Sequence, residues 1–166
     1  VVFATGCLSS ANVPQFDGAD SFTGDVYHTG QWPHEGVDFT GKTVAVSAIL
    51  AGAVNLTKSD LGTANLSGVN TYSGTTTINA SGGTLAITGA GQLGSGTYAG
   101  TIAIGSGSTF AYSSSATQTL SGVISGAGTF TKDTGSSSLT LTNTNTYTGG
   151  TNVNAGTLIL DNASTG

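Results

Sequence analysis

A long internal repetition constrains this chain of 166 residues more than any other feature. Residues 66–74 return at 141–149, which places Tyr72 and Tyr147 at equivalent positions, 75 residues apart. Three further stretches correspond in order: 76–80 with 151–155, 83–87 with 156–160, and 56–58 with 130–132. A unit of this length exceeds one turn of a solenoid, so each unit is expected to hold several coils.

The repeated region predicts an all-β fold, wound as a right-handed parallel β-helix or solenoid. Short runs such as residues 85–87 and 102–104 are typical of strands that bury one face. Gly, Asn and Ser separate these runs and suit the corners at which a coil turns. One coil cannot bury its apolar face alone, whereas stacked coils share a continuous core. A β-sandwich is the alternative, because short strands between turns also permit that fold.

Composition excludes two classes of function. The chain has three Lys and no Arg against eight acidic residues, for a formal net charge of −5. Nucleic-acid binding is therefore not expected, because its affinity rests on basic side chains facing phosphates. The longest apolar stretch, residues 44–56, is shorter than the roughly 18 residues that a membrane span needs. Since the chain opens on a strand-like run without Met, we expect an internal segment of a longer protein.

The pattern Leu-Thr-Asn-Thr-Asn-Thr-Tyr-Thr-Gly-Gly-Thr over residues 141–151, with its copy from residue 66, resembles the autotransporter-associated β-strand repeat. The wider repeat character covers about residues 55–162. The resemblance implies a β-helical stalk in the passenger of a secreted or surface-exposed bacterial protein. In that family, adhesive or enzymatic activity lies in other parts of the passenger. The class of partner expected from the resemblance is a host surface or a carbohydrate.

The kind of residue changes near residue 46. Both His, both Pro, the one Trp and Cys7 all precede residue 47, as do six of the eleven charged residues. From residue 47 onward the chain is a repeat rich in Gly, Ser, Thr and Asn. We therefore divide the chain into residues 1–46 and a repeat region, residues 47–166.

Two motifs lie in the first segment. One is Ala4-Thr5-Gly6, after a strand-like run. The other has the form Phe-x-Gly-x-x-x-His-x-x-x-Trp, met by Phe22, Gly24, His28 and Trp32. Together they resemble flavin-dependent Baeyer–Villiger monooxygenases. The resemblance implies an incomplete α/β-derived piece of an oxidoreductase that uses FAD and NADPH, with Ala4, Thr5 and Gly6 on the flavin side.

The segment also departs from that family. The strand predicted at residues 43–46 lacks the Gly-x-Gly-x-x-Gly turn that would receive the NADPH pyrophosphate at a helix N-terminus. The catalytic Arg of the family has no counterpart, because the chain contains no Arg. We therefore expect no bound cofactor and no catalysis. The junction near residue 46 is either a natural gene fusion or an assembly join.

Several other patterns receive structural interpretations. Gly89, Gly91 and Gly94 satisfy Gly-x-Gly-x-x-Gly, but neither a helical run nor an acidic residue follows, so we interpret them as a solenoid turn. Cys7 is expected to be a small buried residue rather than a nucleophile paired with His28.

The sequence evidence for a metal site or for a pair of catalytic carboxylates is equally weak. The polar residues of the first segment lack a recognised ligand spacing, so we expect no metal site; they are Asp25, His28, His34, Glu35 and Asp38. In the repeat region Asp60, Asp133 and Asp161 are isolated, and their spacing does not indicate the paired carboxylates of a glycosidase.

The repeat itself supplies the remaining candidates, Tyr72 with Gly74 and Tyr147 with Gly149. We interpret each Tyr as packing against a coil corner, where the Gly permits close approach. The alternative is a surface aromatic that contacts a glycan or a protein.

The leading hypothesis is a structural, surface-display segment without catalysis of its own. The alternatives are a fragment of a flavin- and NADPH-dependent monooxygenase, and an adhesin module whose outward Thr and Asn ladders bind carbohydrate. Strand edges exposed at the ends of a short solenoid also predict self-association.

Overall fold

The computed structural model describes residues 2–3, 23, 27–28, 41–46 and 49–161. These residues form fourteen strands and one short 3-10 turn, Gly94–Gly96. The strands are β1 Val2–Phe3, β2 Tyr27–His28, β3 Thr43–Val46, β4 Leu56–Lys58, β5 Thr63–Leu66, β6 Thr76–Ile78, β7 Thr84–Gly89, β8 Thr97–Tyr98, β9 Ile102–Ile104, β10 Thr109–Ser114, β11 Gln118–Leu120, β12 Ile124–Gly126, β13 Thr129–Leu141 and β14 Thr151–Leu160. They wind into a β-solenoid of about five turns.

Each full coil has three faces. The first face stacks β3, β5, β7, β10 and the beginning of β13, and β1 and β2 extend it beyond β3. The second face is the four-stranded sheet β4-β6-β9-β12, and the third face stacks β8, β11 and the end of β13. Because β13 turns a corner and β14 follows it, the first and third faces form one ten-stranded sheet. All pairings among the described strands are parallel.

Inward side chains stack in columns along the solenoid axis. One column of the first face contains Ala64, Leu85, Phe110 and Phe130, and the next contains Leu66, Ile87, Tyr112 and Lys132. The rings of Phe110 and Phe130 stack with centroids 5.9 Å apart. On the second face Thr76, Ile102 and Ile124 form a column, and all three are buried. The inward columns of successive strands therefore build one continuous core.

Threonine forms a ladder on the outside of the first face. Thr43, Thr63, Thr84, Thr109 and Thr129 are register partners from one coil to the next. Each begins its strand, and the branched side chain suits the pleated surface of a sheet. The ladder presents a row of hydroxyl groups spaced at the strand separation of about 4.8 Å.

The sequence repeat does not coincide with a whole number of coils. Strands of the second face begin at Leu56, Thr76, Ile102 and Ile124, so one coil takes 20 to 26 residues. Thr76 lies on the second face, but its repeat equivalent Thr151 pairs with Phe130 on the first face. The two repeat copies are thus separated by three coils and one additional face.

The structure confirms the predicted all-β solenoid, and the β-sandwich alternative is wrong because the described strands pair in parallel between successive coils. The division at residue 46 stays a prediction. Across that position, β3 pairs residue by residue with β5, and Val46 also pairs with Val2. Within the described ranges, no helix is long and apolar enough to cross a membrane.

The core columns predict a large cost for removing a central ring. Phe110→Ala should lower the free energy of unfolding by about 3–5 kcal/mol, because a buried ring leaves a cavity between two coils. Thr109→Ala, on the outward ladder next to it, should change the free energy by less than about 1 kcal/mol. Urea unfolding followed by circular dichroism measures both values, and equal losses would contradict the assigned inward and outward faces.

Candidate functional site

The Asn of each repeated Asn-Thr-Tyr triplet joins two coils. Oδ1 of Asn70 accepts a hydrogen bond from the backbone N–H of Leu50 at 3.0 Å. Oδ1 of Asn145 accepts one from the backbone N–H of Ile124 at 2.8 Å. In both copies the amide nitrogen donates to a backbone carbonyl two residues earlier. The side chain therefore provides partners for backbone groups at the corner, where the strand ladder is interrupted.

The Tyr of the first triplet belongs to a buried chain of hydroxyl groups. Tyr72 Oη lies 2.7 Å from Thr76 Oγ1, which lies 2.8 Å from Tyr98 Oη. Tyr98 Oη donates to the carbonyl of Gly74 at 2.6 Å. Because Tyr98 donates there, it accepts from Thr76, and Thr76 accepts from Tyr72. The chain of donors thus has one direction and ends on the backbone of the corner.

The second copy repeats this arrangement at the end of the stack. Tyr147 Oη lies 2.7 Å from Thr151 Oγ1, and its ring packs against Phe130 with centroids 5.9 Å apart. Tyr147 is half-buried, whereas Tyr72 is fully buried. The structure thus places both residues against coil corners, and Tyr72 has no exposed surface with which to contact a glycan.

Glycine permits the coils to approach at these corners. A Cβ atom on Gly74 would lie 2.1 Å from the carbonyl oxygen of Val54, one coil earlier. A Cβ atom on Gly149 would lie 1.9 Å from the carbonyl oxygen of Gly128. Both distances are far below contact, so neither position accepts a larger residue without separating the coils.

Burial controls the titration of the aromatic hydroxyls. It raises the pKa of Tyr72 well above the ordinary value, and the hydrogen bond with Thr76 only partly opposes the effect. Burial likewise raises the pKa of Tyr98 and Tyr112. These groups therefore remain protonated at neutral pH and act as hydrogen-bond donors in the corner, not as bases.

Two lysines form a second kind of link between coils. Lys132 is fully buried in an inward column, and its Nζ donates to the Thr134 carbonyl at 2.6 Å and to the Ala155 carbonyl at 3.5 Å. Lys58, its repeat equivalent, donates to the carbonyls of Asp60 and Gly82 in the same way. Each ammonium group thus joins a carbonyl two residues ahead to one in the following coil.

Desolvation by burial lowers the pKa of Lys132 below its ordinary value, and the charge of Asp133 offsets part of that shift. Lys58 shows the same direction for the same cause, with Asp60 opposing it. The ammonium of Lys132 also lies 5.8 Å from the centroid of the Tyr112 ring, within the range of a cation–π contact.

Sequence reasoning did not single out Asn70, Asn145, Lys58 or Lys132. A signal existed for each pair, since both Asn and both Lys recur at equivalent repeat positions. The strand alternation in Phe-Thr-Lys also places Lys132 on the inward side with Phe130. That placement was missed because a charged side chain is rarely fully buried.

The remaining predicted residues fall in several places. Gly89 ends β7, Gly91 packs on the carbonyl of Leu66, and Gly94 starts the 3-10 turn, so this Gly-rich stretch is a corner of the solenoid. Asp60, Asp133 and Asp161 are exposed on different coils. In the part of the chain that the structure describes, no three His, Cys, Asp or Glu residues lie together where they could hold a metal ion.

Most residues of the monooxygenase-like motifs lie outside the described residues. They are Ala4, Thr5, Gly6, Phe22, Gly24 and Trp32, together with the candidate residues Cys7, Asp25, His34, Glu35 and Asp38. The backbone of His28 lies in β2, which pairs with β1. The roles implied for these residues stay predictions.

The two segments that contain the repeated corners match a known family of repeats. Residues 56–87 and 133–160 match the Passenger-associated-transport-repeat. Two segments of the chain are thus similar to this repeat. Their matched ranges include both Tyr-x-Gly corners, and they confirm the resemblance to the autotransporter-associated repeat. The coils of residues 88–132, between the two matches, continue the same stack without a break.

A second set of similarities concerns monooxygenases and covers about a quarter to a third of the chain. A Baeyer-Villiger monooxygenase of Pseudooceanicola batsensis is 50% identical over 46 residues, 28% of this chain and 8% of that protein. The 2-oxo-Delta(3)-4,5,5-trimethylcyclopentenylacetyl-CoA monooxygenase of Pseudomonas putida is 44% identical over 52 residues, 28% of this chain and 10% of that protein. Cyclopentanone 1,2-monooxygenase of a Comamonas species is 44% identical over 46 residues, again 28% and 8%.

The chain thus spans about a tenth of the length of these curated relatives. The partial resemblance to Baeyer–Villiger monooxygenases is confirmed as a similarity of a short segment. No solved structure matches the chain.

Two adjacent glycines provide a matched test of the corner. Gly149→Ala should destabilise the protein by about 1–3 kcal/mol, because its methyl group would press on the carbonyl of Gly128. A Cβ on Gly150 meets nothing within 4 Å, so Gly150→Ala should change stability by no more than about 0.5 kcal/mol. Thermal and urea unfolding of the two variants would contradict the close approach if they gave the same result.

The buried lysine predicts a dependence of stability on pH. Because the pKa of Lys132 is lowered in the folded protein, the unfolded chain binds more protons between that value and about 10.5. The free energy of unfolding should therefore rise with pH through this window, by at most about 1.4 kcal/mol per pH unit for one group. Lys132→Met should remove part of the rise, and Lys58→Met should remove part of it as well, because desolvation lowers the pKa of both lysines. An equal slope in wild type and Lys132→Met would contradict the assignment.

Proposed function

We propose that this chain is a structural segment of a secreted, autotransporter-like passenger, which holds other parts of the passenger away from the bacterial surface. The observation that carries the proposal is the match of residues 56–87 and 133–160 to the Passenger-associated-transport-repeat, with both copies folded as coils of one solenoid. On this proposal the location is the cell surface or the surrounding medium.

The contacts of the corner suit such a role. Amides, hydroxyls and ammonium groups at the corners bond mainly to the backbone and to one another, and each set connects successive coils. A stack with contacts only between neighbouring coils can be extended by adding coils, at a rise of about 4.8 Å for each. The proposed function therefore needs length and resistance to unfolding rather than a reactive group.

A second candidate is an adhesin module that binds carbohydrate. The specific observation in its favour is the threonine ladder of the first face, which presents hydroxyl groups at regular spacing along the axis. Such groups can donate to and accept from sugar hydroxyls. Binding to a glycan array that is lost in Thr84→Val and Thr109→Val would favour this candidate.

A third candidate is a fragment of a flavin- and NADPH-dependent monooxygenase, supported by the partial matches. A dinucleotide site places the pyrophosphate at the N-terminus of a helix that follows a strand. Residues 49–55, which lie beyond β3, contain no helix, so they do not form such a site. We expect no flavin to remain with the purified chain.

Surface display tests the proposed function directly. The chain is placed between a secretion signal and an outer-membrane translocator domain, with an epitope ahead of it, in a bacterial host. We expect the epitope to reach the cell surface, where antibody and added protease can reach it. The Gly149→Ala variant should show less intact, protease-resistant passenger, and Gly150→Ala should match wild type.

Failure of the epitope to appear on the surface, with the protein folded in the periplasm, would contradict the structural-display proposal. A yellow protein that keeps flavin absorbance through gel filtration would instead support the monooxygenase candidate.

A further inference from the structure

In the second repeat copy, Lys132 and Gly156 fit each other closely. Gly156 has a φ of 77°, and the carbonyl of the residue before it, Ala155, accepts a hydrogen bond from Lys132 Nζ at 3.5 Å. A Cβ atom on Gly156 would lie 2.7 Å from Lys132 Nζ and 2.4 Å from the carbonyl oxygen of Thr134, which is the other acceptor of the ammonium group. The ammonium group therefore occupies space that only a glycine at position 156 leaves open.

The first repeat copy has the same arrangement at a different corner. Lys58 Nζ donates to the carbonyl of Gly82 at 2.7 Å, and the next residue, Gly83, has a φ of 68°. Lys58 and Gly83 are the repeat equivalents of Lys132 and Gly156. Lys58 lies on the second face and Lys132 on the first, so the arrangement recurs although the surrounding strands differ. The recurrence indicates that each lysine is matched to a glycine of positive φ in the following coil.

Alternation of inward and outward side chains does not by itself fix the register between coils. A shift by one residue turns every inward side chain outward, but a shift by two residues keeps the alternation. In the observed register Lys132 lies opposite Val153. A two-residue shift would place Lys132 opposite Thr151, which also points inward. Another interaction is therefore needed to select the observed pairing.

A two-residue shift would remove an acceptor from the ammonium group of Lys132. Each residue of a strand advances by about 3.3 Å, so the carbonyl of Ala155 would move by about 6.6 Å and leave hydrogen-bonding distance. Lys132 is fully buried, and a buried charge that loses its partners carries a large desolvation penalty. An apolar side chain at this position would carry no such penalty. The buried charge thus disfavours the shifted pairing far more than the observed one.

We propose that Lys132 and Lys58 select the register between neighbouring coils, because each ammonium group accepts only the pairing that places the carbonyl before a positive-φ glycine within its reach. They are positioning residues, and they contribute to the choice of one pairing rather than to the free energy of unfolding. A buried charge in such a role excludes alternative pairings at a cost in stability. The inference is independent of the proposed display function, because it concerns only contacts inside the folded stack.

Disulfide trapping on a Cys7→Ser background measures the register at Lys132. Thr131 lies opposite Asn152, so Thr131→Cys with Asn152→Cys reports the observed pairing. Thr131→Cys with Gly150→Cys reports the two-residue shift, and a Cβ atom at position 150 meets nothing within 4 Å. In the observed register this second pair is offset by two residues, so its Cα atoms are about 8 Å apart. Cysteines more than about 7 Å apart are not bridged without movement of the backbone.

With Lys132 in place, only the pair at Thr131 and Asn152 should cross-link. Lys132→Met should remain folded by circular dichroism, with a urea midpoint no lower than wild type, and should raise cross-linking of the Gly150 pair by at least about tenfold. Lys42→Met is the matched control, because it removes an exposed lysine and should leave both yields unchanged. A folded Lys132→Met variant without that rise, the same rise in Lys42→Met, or an unfolded Lys132→Met variant would overturn the proposal.

The first repeat copy provides an independent measurement. Thr57 lies opposite Thr77, so Thr57→Cys with Thr77→Cys reports the observed pairing there. Thr57→Cys with Asn79→Cys reports a shift by two residues. Lys58→Met should raise the yield of this offset pair by at least about tenfold over the chain that keeps Lys58. An unchanged yield in a folded Lys58→Met variant would overturn the proposal as a property of the repeat.

Discussion

Successive coils can stack only if their backbones approach closely at the corners, and the rest of the structure depends on that contact. Gly74, Gly100 and Gly122 show the constraint most clearly. A Cβ on Gly100 would lie 2.2 Å from the carbonyl of Gly74, and a Cβ on Gly122 would lie 2.1 Å from the carbonyl of Gly100. With glycine there, the strands between the corners can pair at the usual separation and the inward columns can meet. Any side chain at these points would separate the coils and open the core.

Polar groups at the corners complete what the strand ladders leave unpaired. Parallel pairing satisfies the backbone only along the strands, so each corner needs other partners. Asn70, Asn145 and the Tyr72–Thr76–Tyr98 chain supply them from side chains. Lys132 does the same from within the core, at the cost of burying a charge. The same motif forms corners at two different faces of the solenoid, because the second repeat copy lies three coils and one additional face beyond the first. The repeat is therefore a local device for turning and docking the chain, not the description of one fixed coil.

Much of the fold could be predicted from the sequence. In runs such as Leu139-Thr140-Leu141, apolar and polar residues alternate with a period of two, and the Gly- and Asn-rich stretches mark the corners. Both the strands and the turns can therefore be predicted from the sequence. The predicted packing of Tyr72 and Gly74 rested on their recurrence at Tyr147 and Gly149. The number of coils in one sequence repeat cannot be predicted from the sequence, because the coils take 20 to 26 residues and differ in the lengths of their corners. The burial of Lys132 cannot be predicted for a different reason. Its ammonium group is satisfied by the carbonyls of Thr134 and Ala155, which come together only when the coils stack.

Residues 43–46 and 49–160 form one stack, in which the coils between the two repeat matches continue the pairing of the matches themselves. Hydrogen exchange followed by mass spectrometry of peptides measures this directly. We expect the slowest exchange in β7, β10 and β11, which lie in the middle of the stack, and faster exchange towards β3 and β14. Fast exchange throughout residues 88–132, with protection confined to 56–87 and 133–160, would contradict a continuous solenoid.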